Sequence, residues 1–165
     1  MAKSTQQPDK RDSQNRTVAT NRKARHNYNL EDAFEAGLAL TGTEIKSIRA
    51  GNVSLSDAYV QVKDGEAWLL NCHIAPYDPA SRENHEPRRP RKLLLHKREI
   101  ARLVSRVNER GFTIVPVRLY LKKGRAKVEI ALARGKRQYD KRATLAEAQS
   151  KRDIERAVKQ RSRDY

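Results

Sequence analysis

The sequence predicts a mainly β fold, a small closed antiparallel β-barrel of the oligonucleotide-binding type with short flanking helices and a basic C-terminal tail. Three observations indicate this class. Short strand-like runs separated by turn signals recur between residues 34 and 134, only two short helical patterns interrupt them, and the C-terminal end is rich in cations but poor in large apolar residues. A β-sandwich is the structural alternative.

The first predicted strand covers residues 34–40, which are mostly apolar. A short helix follows, because Thr41 and Glu44 have the spacing of a capping box and Gly51 ends the pattern. Two isoleucines three residues apart give this helix a single buried face.

Residues 58–63 and 66–74 predict a β-hairpin joined by Asp64-Gly65. The Asp-Gly pair favours a two-residue turn because it tolerates the positive φ angles that such a turn requires. A charged loop with several prolines follows, over residues 76–92.

Residues 96–110 predict a second helix, which Gly111 ends. Its apolar stripe consists of Ile100, Leu103, Val104 and Val107. Residues 112–122 and 125–134 predict two more strands hinged at a Lys-Gly pair, and Pro116 indicates a bulge or an edge section in the first of them.

These elements divide the chain into three parts. Residues 1–20 lack aromatic side chains and predict a disordered N-terminal arm, residues 21–134 form the barrel, and residues 135–165 form a basic tail. A second capping box, Thr144 to Glu147, predicts a helix from about residue 144. Because the tail has no core of its own, we expect it to be helical only when bound.

Charge is segregated along the chain. The 36 Lys and Arg against 20 Asp and Glu give a formal net charge of +16. Residues 30–81 hold 3 basic and 8 acidic side chains, a net charge of −5, which leaves +21 for the rest. Such a footprint favours nucleic acid as the partner over a surface that is merely solvated.

The sequence contains no pattern for catalysis, a metal or a cofactor. The four histidines are scattered, and the carboxylates Asp57, Asp64 and Glu66 fit a solvated acidic face better than a nuclease site. Cys72 is the only cysteine, which excludes an internal disulfide and favours a reducing compartment. With no apolar run for a signal peptide or a membrane span, we expect a cytoplasmic protein that is not an enzyme.

A basic cluster precedes the barrel. Arg22, Lys23 and Arg25 can contact phosphates, and His26 can stack on a base; the alternative is an arm that only aids solubility. Adjacent Tyr28 is expected in the core.

Three further residues have two interpretations each. Glu35 lies in an apolar strand, where it either faces solvent or accepts hydrogen bonds from a guanine edge. Lys46 and Arg49 lie on the first helix, where they either contact RNA or are solvated.

The barrel is followed directly by a basic stretch with one tyrosine: Gly135, Lys136, Arg137, Tyr139, Asp140, Lys141 and Arg142. The tyrosine can stack on a base while the cations neutralise phosphates.

Six stretches resemble, in chain order, the bacterial SsrA-binding protein (small protein B) family: 21–26, 34–40, 44–51, 64–67, 91–95 and 135–142. The resemblance covers about residues 18–160. It implies an oligonucleotide-binding-type barrel that binds the tRNA-like domain of transfer-messenger RNA in trans-translation, the rescue of stalled ribosomes. It also implies delivery by elongation factor Tu through the RNA complex, and we expect a monomer.

Carried over residue by residue, the resemblance implies RNA contacts at Asn21, Arg22, Lys23, Arg25, His26, Glu35, Leu93 and Lys127. From the residues alone, Leu93 would belong to the core.

The resemblance further implies that the tail replaces codon–anticodon pairing in the small-subunit decoding centre and mRNA channel. Asp140-Lys141-Arg142 matches the family triplet, and Tyr139 stands where the family often has histidine. Ala157-Val158 is smaller than the Ile-Met-like pair that relatives often carry.

Two other classes share the charge and fold. The class of ribosomal or initiation-type proteins does not account for the triplet Asp140-Lys141-Arg142 followed by a capped helix. A DNA-compacting protein would bind duplex DNA and a tRNA-like RNA equally well.

Overall fold

The computed structural model describes residues 15–80, 82–109 and 111–161. The strands are β1 (Asn15–Thr20), β2 (Tyr28–Leu38), β3 (Val53–Ser54), β4 (Tyr59–Lys63), β5 (Glu66–Leu70), β6 (His73–Ile74), β7 (Arg91–Leu94), β8 (Phe112–Lys122) and β9 (Arg125–Gly135). The helices are α1 (Arg22–Asn27), α2 (Gly42–Arg49), α3 (Lys97–Val107) and α4 (Gln138–Arg161), with a 3₁₀ turn at Asp78–Ala80.

Most strands belong to one large antiparallel sheet, which confirms the mainly β class. Its order is β1-β8-β4-β5-β7-β2-β9, and β8 also pairs with β9; β3 and β6 form a separate pair. The long strands β2, β8 and β9 determine the site described below, because they place distant parts of the chain side by side.

Turn chemistry fixes the register of the hairpins as predicted. Asp64 and Gly65 have φ angles of 52° and 73° between β4 and β5. Lys123 and Gly124 have φ angles of 50° and 75° between β8 and β9. The register of β8 against β9 shifts next to Pro116, as expected for a proline within a strand.

The core lies between the sheet and two helices. Ile48 of α2 and Leu103 of α3 are fully buried. They pack with strand side chains that include Leu69, Leu93, Ile114, Leu119, Ile130 and Leu132. A smaller cluster of Ala24, Val115 and Ala133 packs against Tyr28 and fixes α1 on the sheet, consistent with a core role for this tyrosine.

A buried ionic cluster replaces part of the predicted charged loop. Arg91 begins β7 and is fully buried, and its Nε donates to Glu44 Oε1 at 2.8 Å. Arg89 donates to both oxygens of Glu44, at 2.7 and 2.6 Å. Burial acts to raise the pKa of Glu44, but hydrogen bonds from Arg89, the Thr41 N–H and Arg91 lower it to about 2.

Several predicted boundaries differ from those of the structure. Residues 15–20 are not part of a disordered arm: they form β1, because an edge strand needs only backbone pairing to β8 and the partial burial of Val18 and Ala19. The predicted strand 66–74 breaks at Asn71, whose φ of 57° ends β5. Residues 1–14 lie outside the described residues.

The tail helix begins at Gln138 and not at Thr144. The Thr144 hydroxyl donates to the Asp140 carbonyl at 2.8 Å, so it bonds back within the helix and does not cap it. Among the described residues, every helix is too short or too polar to cross a membrane.

Candidate nucleic-acid interface

The first candidate cluster lies on α1. Arg22, Lys23 and Arg25 are exposed, and His26 is half-buried. Lys23 forms an exposed ion pair with Asp57 at 3.1 Å. Such a pair contributes little stability in water, so Lys23 can exchange it for a phosphate.

Asn21 holds this helix in place. Its side chain accepts the Ala24 N–H and donates to the Pro116 carbonyl, both at 3.0 Å, and the residue is 3% exposed. The side chain of Asn21 is the N-cap of α1, and its contact with RNA stays a prediction.

The second cluster surrounds Glu35 on β2. The Tyr120 hydroxyl donates to Glu35 Oε2, and Lys122 Nζ lies 3.2 and 3.1 Å from its two oxygens. Lys127 of β9 lines the same two cavities as Glu35. The structure thus brings two of the predicted contacts, Glu35 and Lys127, into one cluster with Tyr120 and Lys122.

Electrostatics keep Glu35 ionised. The hydrogen bond from Tyr120 lowers the pKa of Glu35, and the charges of Lys122 and Lys127 act in the same direction. Partial burial acts to raise this pKa but does not outweigh them. Burial, with the hydrogen bond to Glu35, raises the pKa of Tyr120. Glu129, directly opposite Glu35 across β2 and β9, is instead paired with Arg118 at 2.6 Å.

The two leucines of β7 differ in exposure. Leu93 is 2% exposed and packs in the core, whereas Leu94 is 55% exposed. Both line the cavity that Glu35 and Lys127 also line. The RNA contact of Leu93 stays a prediction, and Leu94 is a further candidate beside it.

The two predicted contacts on α2 are exposed and lie near other elements. Lys46 Nζ lies 5.4 Å from the centroid of the Tyr77 ring. The Arg49 guanidinium lies 3.5 Å from the Gly124 carbonyl, which places Arg49 beside the β8–β9 turn and near the second cluster.

The two clusters lie at opposite ends of β9. Gly135, at one end, pairs with Tyr28 next to α1, whereas Lys127 pairs with Gly37 near Glu35. Eight residues of extended strand separate Gly135 from Lys127, about 26 Å. An RNA that contacts both clusters must therefore extend along the protein.

The tail leaves the body beside α1, and Lys136 fixes its start. The Lys136 N–H donates to the Asn27 carbonyl at 3.0 Å. Its Nζ donates to the Arg25 carbonyl at 3.2 Å and lies 3.3 Å from the Thr144 hydroxyl. The predicted tail residues Gly135, Lys136 and Arg137 are therefore adjacent to the first cluster.

Within α4, the predicted contacts are displayed to solvent. Asp140 and Arg142 are exposed, and Lys141 is half-buried. The side chain of Tyr139 lies outside the part of the chain that is described. Ala157 is exposed, and Val158 is 63% exposed, so this pair has no apolar neighbour to cover it in the described chain.

The sequence interpretation missed Tyr120, Lys122, Lys123 and Arg125. The signal was present in Lys122-Lys123-Gly124-Arg125, a turn with three cations, which was interpreted only as a hinge. In the described ranges, no group of three His, Cys, Asp or Glu is placed to hold a metal ion.

Fold and site define a basic, mainly β protein with two cationic clusters and a basic helical tail. The family model described as "SmpB protein" matches residues 18–160, and the chain belongs to this family. It is 61% identical to the SsrA-binding protein of Roseiflexus sp. (strain RS-1), over 90% of this chain and 94% of that one. It is 57% identical to the SsrA-binding protein of Acidothermus cellulolyticus, over 94% of this chain and 98% of that one.

A solved structure agrees with these relatives. The chain is similar to a chain of "tmRNA-SmpB: a journey to the center of the bacterial ribosome", with a TM-score of 0.63 and 47% identity, over 77% of this chain and 93% of that one.

Proposed function

We propose that this protein binds transfer-messenger RNA and acts with it on the ribosome in trans-translation. Membership of the SmpB family along residues 18–160 carries this proposal. The two exposed cationic clusters support it, because a protein that contacts the phosphates of an RNA needs exposed cationic surfaces.

The body is proposed to be a closed barrel of the oligonucleotide-binding type. Each of β2, β4, β5, β7, β8 and β9 pairs with two others of this set, so the pairings return to their starting strand. The proposed domain boundary then falls between β9 and α4, with residues 15–135 as the body.

The RNA-binding surface is proposed to include α1, the Glu35 cluster and α2. Arg22, Lys23, Arg25 and His26 contact the RNA backbone or stack on bases. Glu35, Leu93 and Lys127, with Leu94 as a further candidate, contact an unstacked loop of the tRNA-like domain. Lys46 and Arg49 extend this surface.

The tail is proposed to act on the ribosome. Gly135, Lys136, Arg137, Tyr139, Asp140, Lys141, Arg142, Ala157 and Val158 contact the decoding centre and mRNA channel in place of a codon. The exposure of Asp140, Arg142 and Val158 supports this role, because these side chains are available to a partner. Helix formation only on binding stays a prediction.

The remaining proposals follow from this role. The protein acts as a cytoplasmic monomer without enzymatic activity or a cofactor, and elongation factor Tu joins it through the RNA.

The test is the identity of the RNA that copurifies with the full chain from cells. Enrichment of transfer-messenger RNA over ribosomal and transfer RNA supports the proposal. Copurification with ribosomes in cells that lack transfer-messenger RNA would instead indicate a ribosomal or initiation-type protein.

A further inference from the structure

Three cations at the β8–β9 turn, Lys122, Lys123 and Arg125, are not among the contacts proposed above. An open cavity of ≈ 420 Å³ lies against it, lined by Glu35, Lys122, Lys123, Arg125 and Lys127. The lining therefore has four cations and one carboxylate. Arg49 adds a further cation, since its guanidinium lies 3.5 Å from the Gly124 carbonyl in the same turn.

Internal pairing neutralises only part of this charge. Lys122 lies 3.1 Å from Glu35, and Arg118 pairs with Glu129, so both acids on this face have a cation. Across the described ranges, no ion pair involves Lys123, Arg125 or Lys127. Like charges crowded around one cavity repel one another, and a bound anion relieves that repulsion.

The β8–β9 turn presents these cations to solvent. The φ angles of Lys123 and Gly124, 50° and 75°, are those that a two-residue hairpin turn requires. Lys123 and Arg125 are both exposed there, so their charged groups are available to a partner.

We propose that Lys123, Arg125 and Lys127 form a binding site for backbone phosphates of the RNA partner, with Arg49 at its edge. The site is continuous with Glu35, so a nucleotide whose base reaches Glu35 places its own or a neighbouring phosphate over the turn. This inference rests on the proposed function and extends it to Lys123 and Arg125.

The test is a binding titration of the full chain with the tRNA-like domain of transfer-messenger RNA over a series of salt concentrations. The test variant combines Lys123→Gly with Arg125→Gln. The matched control, Lys151→Gln with Arg152→Gln, removes the same charge from the exposed part of α4. Lys123→Gly suits the positive φ, so the melting temperature should stay the same or rise.

Loss of two phosphate contacts should reduce the slope of log affinity against log salt by about 1.4–1.8, while the control changes it by less than half as much. Arg125→Lys, which keeps the charge, should retain the parent slope. A turn variant with the parent slope, or with the slope of the control, overturns the inference.

A parallel titration with duplex DNA separates this failure from failure of the proposed function. If the parent prefers the tRNA-like RNA but the turn variant keeps the parent slope, only the phosphate site is wrong. If the parent binds both nucleic acids equally, the proposed function fails and the inference fails with it.

Discussion

Among single residues, Glu35 is an acid within the proposed RNA-binding surface. Its carboxylate is held by the Tyr120 hydroxyl and Lys122, and Lys127 lies nearby. Oε2 accepts from both Tyr120 and Lys122, whereas Oε1 accepts from Lys122 alone and has a further lone pair with which Glu35 can accept a hydrogen bond from an amino or imino group of a base. The surrounding cations keep its local charge from repelling phosphates.

Glu35→Gln should weaken RNA binding by about 1–3 kcal/mol, although it removes a negative charge. The amide accepts at one atom only, so it cannot satisfy Tyr120, Lys122 and a base edge together. A titration with the tRNA-like domain checks this, with Glu129→Gln on the same face as the control. Tighter binding by Glu35→Gln would show that Glu35 only faces solvent.

Tyr120→Phe should weaken RNA binding through its effect on Glu35. The hydroxyl lowers the pKa of Glu35, so its loss lets the carboxylate protonate at a higher pH, although Lys122 and Lys127 remain. The acid side of the binding-versus-pH profile should therefore move to higher pH. In a Glu35→Ala background, Tyr120→Phe should have no effect, and an equal loss in both backgrounds would indicate a purely structural tyrosine.

The buried Glu44 cluster predicts acid-sensitive stability. The folded-state pKa of Glu44 is lowered from 4.5 to about 2, so its contribution is complete above pH 4.5 and disappears as the pH falls towards 2. Arg91→Met should destabilise the protein at pH 7 by about 3–5 kcal/mol, because it removes one partner of a buried carboxylate. Urea unfolding between pH 2 and pH 7 measures both effects. Arg88→Met, in the exposed part of the same segment, should be nearly neutral, and equal losses would contradict this account.

The sequence predicts which cations are available on the surface, but it does not predict contacts that depend on strand register. The basic stretch of Arg22, Lys23 and Arg25 is visible in the sequence, and all three side chains are exposed. Tyr120 lies 85 positions from Glu35, and only the side-by-side placement of β2, β9 and β8 brings them together. Likewise, the alternation that buries Leu93 and exposes Leu94 depends on which face of β7 meets the core.

At the scale of elements, α1 is a short helix that its contacts with the sheet hold in place. Six residues are too few for a stable isolated helix, so the Asn21 cap and the burial of Ala24 hold it on the sheet. Its exposed cations are thereby presented on a rigid support.

Neutralising Arg22, Lys23 and Arg25 to glutamine should weaken RNA binding and reduce the salt slope by about 2–3, because condensed counterions are no longer displaced. The control replaces three α4 cations, Lys151, Arg152 and Arg156, to match the charge. If the triple α1 variant titrates like the parent, the α1 cations do not contact RNA and only aid solubility.

Elements were predicted well where local chemistry specifies them. The Asp64-Gly65 turn, the Thr41 capping box and the strands around Lys123-Gly124 are all local signals, and they were confirmed. The polar strand β1 was missed because its order comes from pairing with β8, about a hundred positions later. The early start of α4 was missed because a threonine-glutamate pattern resembles a cap in sequence.

For the whole molecule, the main feature is the separation of body and tail. Both clusters proposed to bind RNA lie on the body, whereas α4 extends from it with Leu145, Ile154 and Val158 exposed. The link is Lys136, which contacts α1 and Thr144. RNA binding and action on the ribosome should therefore be separable by mutation.

The most direct test is a reconstituted peptide-tagging assay on ribosomes stalled without a codon, run beside an RNA-binding titration. Replacing Asp140, Lys141 and Arg142 with alanine, or ending the chain after Ala143, should leave RNA affinity nearly intact but abolish tagging, because nothing then occupies the decoding centre and channel in place of a codon. Normal tagging by both variants would contradict the codon-substitute role, and a parallel loss of binding and tagging would make the tail a plain RNA-binding arm.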